Sequence, residues 1–333
     1  MHIMLKMETM KWENTKIRVS CADVFSPLLC VGGDSRCAFP IYVTEAPCLF
    51  RHLINGVTFV LMVDDIGVKF QNTQGRDHFL NTLRALYAIS VDYEGSQYLG
   101  MSIAHDRAAQ TISISMPGYV ARVLERFHEW AGTRTASTPA VYHHAPQYGA
   151  KVQIPYADDS SPLSALQAIT GSLWYYARAV DPTMLPAVKA IAFSQARQTT
   201  MVRDAAIRLL QYARAYPANA VVFHKSKIDL VLQTDASYLS RSNSRSVAGG
   251  IGCFGDASNP TKENGMVYAM SSIIDVIVAS AGEAKYGTTF FNAQQGVHLR
   301  NIAIAMEHPQ GVLPILCDNF GLFICHWARH RHH

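Results

Sequence analysis

Three short acidic islands, each set against an apolar run, constrain this chain more than any other feature. The first is Phe59-Val60-Leu61-Met62-Val63-Asp64-Asp65-Ile66 and the second is Leu230-Val231-Leu232-Gln233-Thr234-Asp235-Ala236-Ser237. The third is divided between Ser280-Ala281-Gly282-Glu283-Ala284 and Leu316-Cys317-Asp318-Asn319. A carboxylate at the end of an apolar run is costly unless a metal, a partner or water neutralises it. Oxygen ligands grouped in this way suit Mg²⁺, and phosphoryl-transfer enzymes gather them for two-metal catalysis.

Periodicity places the islands on elements. The run into Asp64-Asp65, followed by Ile66, Val68 and Phe70 alternating with Gly67 and Lys69, predicts a β-hairpin with the two acids at its tip. Asp77 to Tyr87 reads as an amphipathic helix. A second hairpin is predicted from Tyr98–Ile103 and Thr111–Met116, and a helix over Tyr119–Phe127. Residues 131–163, rich in Thr, Ser, Pro, His and Gly, read as a linker. Helices are predicted over Leu163–Val180, Thr183–Ser194 and Val202–Tyr216, the last stopped by Pro217. Strands follow at Ile228–Thr234, Ser246–Phe254 (with Gly249-Gly250 read as a bulge), Val267–Ser271 and Leu313–Cys317. A helix is predicted over Ala281–Gln294. Residues 1–44 show no sustained period.

A chain of 333 residues, 49% of them hydrophobic, is long and apolar enough for two or three globular domains. A formal charge of +4 is compatible with nucleic acid without proving it. Cysteines at 21, 30, 37, 48, 253, 317 and 325 show no Cys-x-x-Cys zinc spacing. With no secretory pattern at the start and no run of membrane-span length, the expectation is an intracellular protein, cytoplasmic or nuclear, with no membrane partner.

In order along the chain, Ala46–His52, Phe59–Lys69, Tyr98-Leu99-Gly100, Ile114–Val120, Tyr175–Asp181, Thr234–Ser240, Ala279–Ala284 and Asp318-Asn319 resemble the reverse transcriptase / ribonuclease H region of the copia-type retrotransposon polyprotein. The ordered series covers roughly 45–320 and carries more weight than any single piece. The resemblance implies a fold of class α/β to α+β: an unassigned segment 1–44, a partial palm and thumb over 45–130, a linker and helical connection over 131–227, and a truncated ribonuclease H-like domain over 228–333. It implies that Asp64 is similar to the metal-binding Asp of the polymerase hairpin and Asp65 to its neighbour. Asp235, Glu283 and Asp318 match the first three acidic ligands of the family's ribonuclease H, whose fourth lies on a later segment. The cofactor implied is Mg²⁺ or Mn²⁺, and the partners are RNA, DNA or an RNA/DNA hybrid.

The departures are as informative. Met62 stands where the family commonly has Tyr. A polymerase needs a further Asp on an earlier palm strand, and of the 63 residues before Asp64 only Asp23 has apolar flanks. No Asp or Glu follows Asp318; His326, His330, His332 and His333 occupy the tail. Lys285 replaces the second acid of the family's Glu-Ala-Glu pattern, and two positions apart on a helix its side chain diverges from Glu283. Tyr156-Ala157-Asp158-Asp159 spells a polymerase-like box, but with Pro155 before it and Ser160-Ser161-Pro162 after it reads as loop and helix cap. Trp174-Tyr175-Tyr176 sits in an apolar helix and reads as core rather than as a base-stacking surface. A non-catalytic nucleic-acid-binding protein and a transposon relic remain alternative readings. The purified chain is expected to show no template-directed primer extension; extension that is lost in Asp64→Asn would contradict this.

Overall fold

The computed structural model describes residues 2–7, 41–42, 46, 48–52, 56–141, 162–197, 199–241, 244–261 and 264–318. Asp23, Tyr156–Asp159 and the histidines of the tail lie outside the described residues. The chain divides into two compact units, residues 1–104 with 300–309, and 105–299 with 310–333. Both mix helices with sheets that are mostly antiparallel, so the class is α+β.

The first unit is built on a six-stranded antiparallel sheet. Its strands are β1 (His2–Met7), β2 (Ile41–Tyr42), β3 (Leu49–Arg51), β4 (Val57–Met62), β5 (Asp65–Phe70) and β6 (Ile89–Asp92), in the order β2-β3-β4-β5-β1-β6. Alternation does its ordinary work in β5: Ile66, Val68 and Phe70 are buried, while Asp65, Gly67 and Lys69 are not. These side chains pack with Phe59 and Leu61 of β4 and with Phe79, Leu80 and Leu83 of helix α1 (Thr73–Leu86). The helix begins one turn earlier than its apolar period predicts because the Asn72 side chain caps it, accepting from the Gly75 N–H at 2.7 Å. β1 was not predicted, yet it lies between β5 and β6 and buries Leu5 in the same core. A short hairpin follows, β7 (Gln97–Tyr98) and β8 (Met101–Asp106). Its two-residue turn holds Leu99 at φ 51° and Gly100 at φ 71°, left-handed at both central positions as tight hairpins require.

The second unit opens with β9 (Thr111–Ser115), followed by helices α2 (Tyr119–Arg126), α3 (His128–Ala131), α4 (Pro162–Ala179), α5 (Leu185–Ser194) and α6 (Thr200–Ala215). β10 (Ala220–His224) pairs antiparallel with β9. Asp181, in one of the stretches behind the family resemblance, proves to be an organiser of this helical region. It is 3% exposed. One carboxylate oxygen accepts from Thr183 N at 3.2 Å and from the Thr183 hydroxyl, and the other accepts from Asn219 Nδ2 at 2.6 Å. Tyr176 is buried and its hydroxyl accepts from Asn219 N at 3.3 Å, while Lys189 lies over the Trp174 ring. The helix-core reading of this aromatic run therefore holds for Tyr176, although Tyr175 is exposed.

The remaining sheet runs β13-β12-β11-β14, from β11 (Asp229–Arg241), β12 (Arg245–Gly255), β13 (Met266–Ile273) and β14 (Ile315–Cys317). β11, β12 and β13 form an antiparallel meander, and β14 joins β11 in parallel. Between β13 and β14 runs helix α7 (Ala281–Ala305). It lies unusually close to the sheet. A Cβ on Gly250 would fall 1.7 Å from Asn292 Oδ1, and one on Gly296 would fall 2.7 Å from Leu232 Cδ1. Gly249-Gly250 is therefore not the predicted bulge. Both residues hold regular pairing with β11, and the register shift in β12 comes later, at Gly252/Cys253.

The helix meets the sheet through small and polar residues, with Ala284, Thr288 and Asn292 fully buried, and turns Tyr286, Phe290, Phe291 and Val297 outward. Among the described residues no helix is long and apolar enough to cross a membrane.

The close approach makes a testable demand. Gly250→Ala must drive Asn292 off its bonds to Gly249 O (3.2 Å) and Thr288 O (2.9 Å), at a cost of about 1–3 kcal/mol. In urea unfolding, Gly250→Ala added to Asn292→Ala is expected to cost less than Gly250→Ala alone; strict additivity would contradict the assigned contact.

Candidate functional site

Asp64 and Asp65 stand where the hairpin reading put them. Val63 and Asp64 form the two-residue turn between β4 and β5, and Asp65 opens β5 opposite Met62. On its other side Asp65 faces Lys6 of β1, an opposite-charge neighbour across strands. The turn is strained. Val63 has φ 59°, in the left-handed region that β-branched residues avoid, and is 89% exposed.

Two other motif stretches converge on this hairpin. The backbone of Cys48 accepts from Leu61 N at 3.0 Å. The Tyr98 ring lies over Gly67, 3.6 Å from where a Cβ would stand. Among the described residues its hydroxyl has no hydrogen-bond partner, and burial first, then the charge of Asp65 and of Cys48, pushes it up to about 12. Met62 is exposed beside the turn.

The second cluster is built by strand pairing. Parallel register sets Thr234 beside Cys317, so Asp235, within β11, and Asp318, the residue just past the end of β14, follow one position later. Asp235 is not at a strand end: β11 continues to Arg241, and Asp235 pairs with Gly249. Its Oδ1 also accepts from Ala236 N at 2.7 Å.

Glu283 is in the first turn of α7. Its Oε2 accepts from Ala279 N at 2.6 Å, while its own N–H donates to Ser280 Oγ at 3.1 Å, a reciprocal cap of the helix start.

The residue of α7 that reaches both aspartates is Lys285. Its ammonium donates to Asp318 Oδ1 and lies 3.4 Å from Asp235 Oδ1. The lysine side chain is 18% exposed, whereas the two aspartates are largely open to solvent. The hydrogen bond from Lys285 holds the Asp318 carboxyl below its usual range, and the bond to Asp318, with the charge of Asp235, raises the lysine. Divergence of Glu283 and Lys285 on the helix was legible in the sequence; which of them faces the aspartates was not.

The two aspartates border an open cleft of about 1080 Å³, also lined by Gln233, Arg241, Pro186 and Ile251. Arg241 donates from its guanidinium to Pro186 O at 3.3 Å.

As arranged, these donors do not fit a divalent metal. Two carboxylates already share an ammonium, and the third acid is engaged by a backbone N–H. No family model matches the chain, and no curated protein matches it.

The hairpin strain is measurable. Val63→Gly removes a left-handed penalty of about 1–2 kcal/mol against a glycine entropy cost of about 0.5–1 kcal/mol. With little side-chain burial to lose, a net gain in urea stability is expected, and a loss would show that the Val63 backbone is unstrained.

Proposed function

We propose that the chain derives from the reverse transcriptase / ribonuclease H region of a copia-type retrotransposon polyprotein. The segment 228–333 is then a truncated ribonuclease H-like domain that meets RNA, DNA or an RNA/DNA hybrid at the cleft beside Asp235 and Asp318. The observation that carries this reading is the parallel pairing of β14 with β11, which brings Asp235 and Asp318, the first and third acids of the ribonuclease H set, to one lysine. The element order supports it too: a strand with Asp, further strands, a helix with Glu at its start, then a strand with Asp. In the first unit, the meeting of Tyr98 with the Asp64-Asp65 hairpin supports the palm reading.

In the family these acids serve two-metal hydrolysis with Mg²⁺ or Mn²⁺. With Lys285 on Asp235 and Asp318 no hydrolytic step is assigned to this arrangement, and hybrid cleavage is expected to be weak or absent. The same ion pairs favour the non-catalytic alternative, a cleft that binds nucleic acid without turnover. A hybrid would be recognised by groove shape and 2′-hydroxyls rather than by base sequence.

The test is a labelled RNA/DNA hybrid mixed with the purified chain, with and without Mg²⁺. Retention without cleavage is expected. Affinity should fall by roughly tenfold or more between about 50 and 200 mM salt, as a few phosphate contacts dictate. Robust Mg²⁺-dependent cleavage that disappears in Asp235→Asn would overturn the non-catalytic reading. Failure of the folded protein to retain RNA, DNA or hybrid at low salt would overturn the nucleic-acid reading itself.

A further inference from the structure

We propose that the Lys285 ammonium is a resident counter-cation, held between Asp235 and Asp318 in the place of a divalent metal, and that position 285 alone decides whether this cleft takes such a metal. The inference rests on the ribonuclease H-like reading only in naming a divalent cation as the ion displaced; the ion pairs stand without it.

The physical case begins with what the two aspartates need. The β11–β14 pairing brings the two carboxylates close enough for one ammonium to reach both, and like charges brought together in this way call for a cation. An ammonium offers three donors and one fixed positive charge. Here it reaches Oδ1 of Asp318 and comes within 3.4 Å of Oδ1 of Asp235. A divalent ion seeking the same oxygens would meet lone pairs already engaged and a positive charge already present.

The lysine is also pinned at its base. Its backbone carbonyl accepts from Thr289 Oγ1 at 2.9 Å, and that hydroxyl lies 3.3 Å from Thr234 Oγ1 on β11. The helix cannot slide off the strand without breaking this contact and the Gly250 and Gly296 approaches. Only the end of the side chain is delivered to the acids, while the stem stays shielded. A long, mobile surface lysine would be a weak competitor for a metal; a lysine shielded along its stem and anchored at its backbone is a strong one.

Lys285→Glu would replace the repelling charge with a third carboxylate on the same side of the helix, and oxygen-rich acidic sets of that kind bind Mn²⁺ and Mg²⁺. Lys285→Gln removes the ammonium without adding an acid.

The experiment titrates Mn²⁺ alone into the full chain and reads free Mn²⁺ by electron paramagnetic resonance. The proteins are wild type, Lys285→Gln, Lys285→Glu and Lys285→Glu/Asp235→Asn, each checked for a cooperative thermal melt. The expected result is Mn²⁺ binding at least about tenfold tighter in Lys285→Glu than in wild type, abolished by the added Asp235→Asn. Should Lys285→Glu not fold, tighter binding by Lys285→Gln than by wild type supports the proposal and its absence overturns it. Wild type binding Mn²⁺ as tightly as Lys285→Glu, in a manner dependent on Asp235, would overturn it. So would folded Lys285→Glu and Lys285→Gln that bind no better than wild type. Hybrid retention measured on the same preparations separates the two ideas: a gain in Mn²⁺ binding with no nucleic-acid retention by any protein sinks the proposed function and leaves this inference standing.

Discussion

The close approach of helix α7 to the sheet of the second unit governs most of what is distinctive here. Where Gly250 and Gly296 leave no room for a Cβ, the helix contacts the sheet through polar and small side chains rather than interlocking aliphatic ones. Asn292 reaches the carbonyl of Gly249, Thr289 meets Thr234, and Gly296 admits Leu232. These contacts recur at spacings of three and four, one face of a helix. Lys285 is the N-terminal member of that face. Its arrival at Asp235 and Asp318 is a consequence of the same packing that fixes the helix, not a separate surface event.

That geometry inverts the usual division of an amphipathic helix. The apolar side chains Tyr286, Phe290, Phe291 and Val297 point outward, and the buried face holds Ala284, Thr288 and Asn292. Polar groups in such a face are tolerable only where hydrogen bonds replace lost water. Asn292 meets this in part: its amide N–H groups donate to Gly249 O and Thr288 O, while its Oδ1 and the Thr288 hydroxyl have no hydrogen-bond partner among the described residues. Charge follows the same logic at the cleft. The lysine is stabilised by the two acids, and the Asp318 carboxyl in turn is held ionised by the lysine.

Much of the fold was legible wherever one face of an element is buried and the other is not. The alternation of Ile66, Val68 and Phe70 and the helical periods over Leu163–Val180 and Val202–Tyr216 announce their elements with ends shifted by a residue or two, while the apolar run into Asp235 announces a strand that continues well past Thr234, to Arg241. β1 escaped notice because a strand of six residues is too short to give the segment 1–44 a sustained period. Helix α7 runs to Ala305, well beyond the predicted Gln294. Gly296, which lowers helix propensity, is needed for the contact with Leu232 rather than for a break. Gly250 misled in the same manner: a glycine inside a strand can mark a bulge or a neighbour pressed close, and only the packed structure distinguishes them. At the candidate site, the grouping of Asp235 and Asp318 was implied by the family resemblance, whereas the facing of Lys285 depends on helix rotation, which a short polar stretch does not encode. Glu283 was legible as a helix-start residue and is held as one by Ala279 and Ser280.

The central claim is that an ammonium, not a metal, neutralises the carboxylate pair of this cleft. The most direct measurement is anomalous X-ray scattering from crystals of the wild-type chain grown in Mn²⁺. The account predicts lysine density joining Asp235 and Asp318 with no anomalous peak between them. A manganese peak bridging the two carboxylates, with Lys285 displaced, would contradict it.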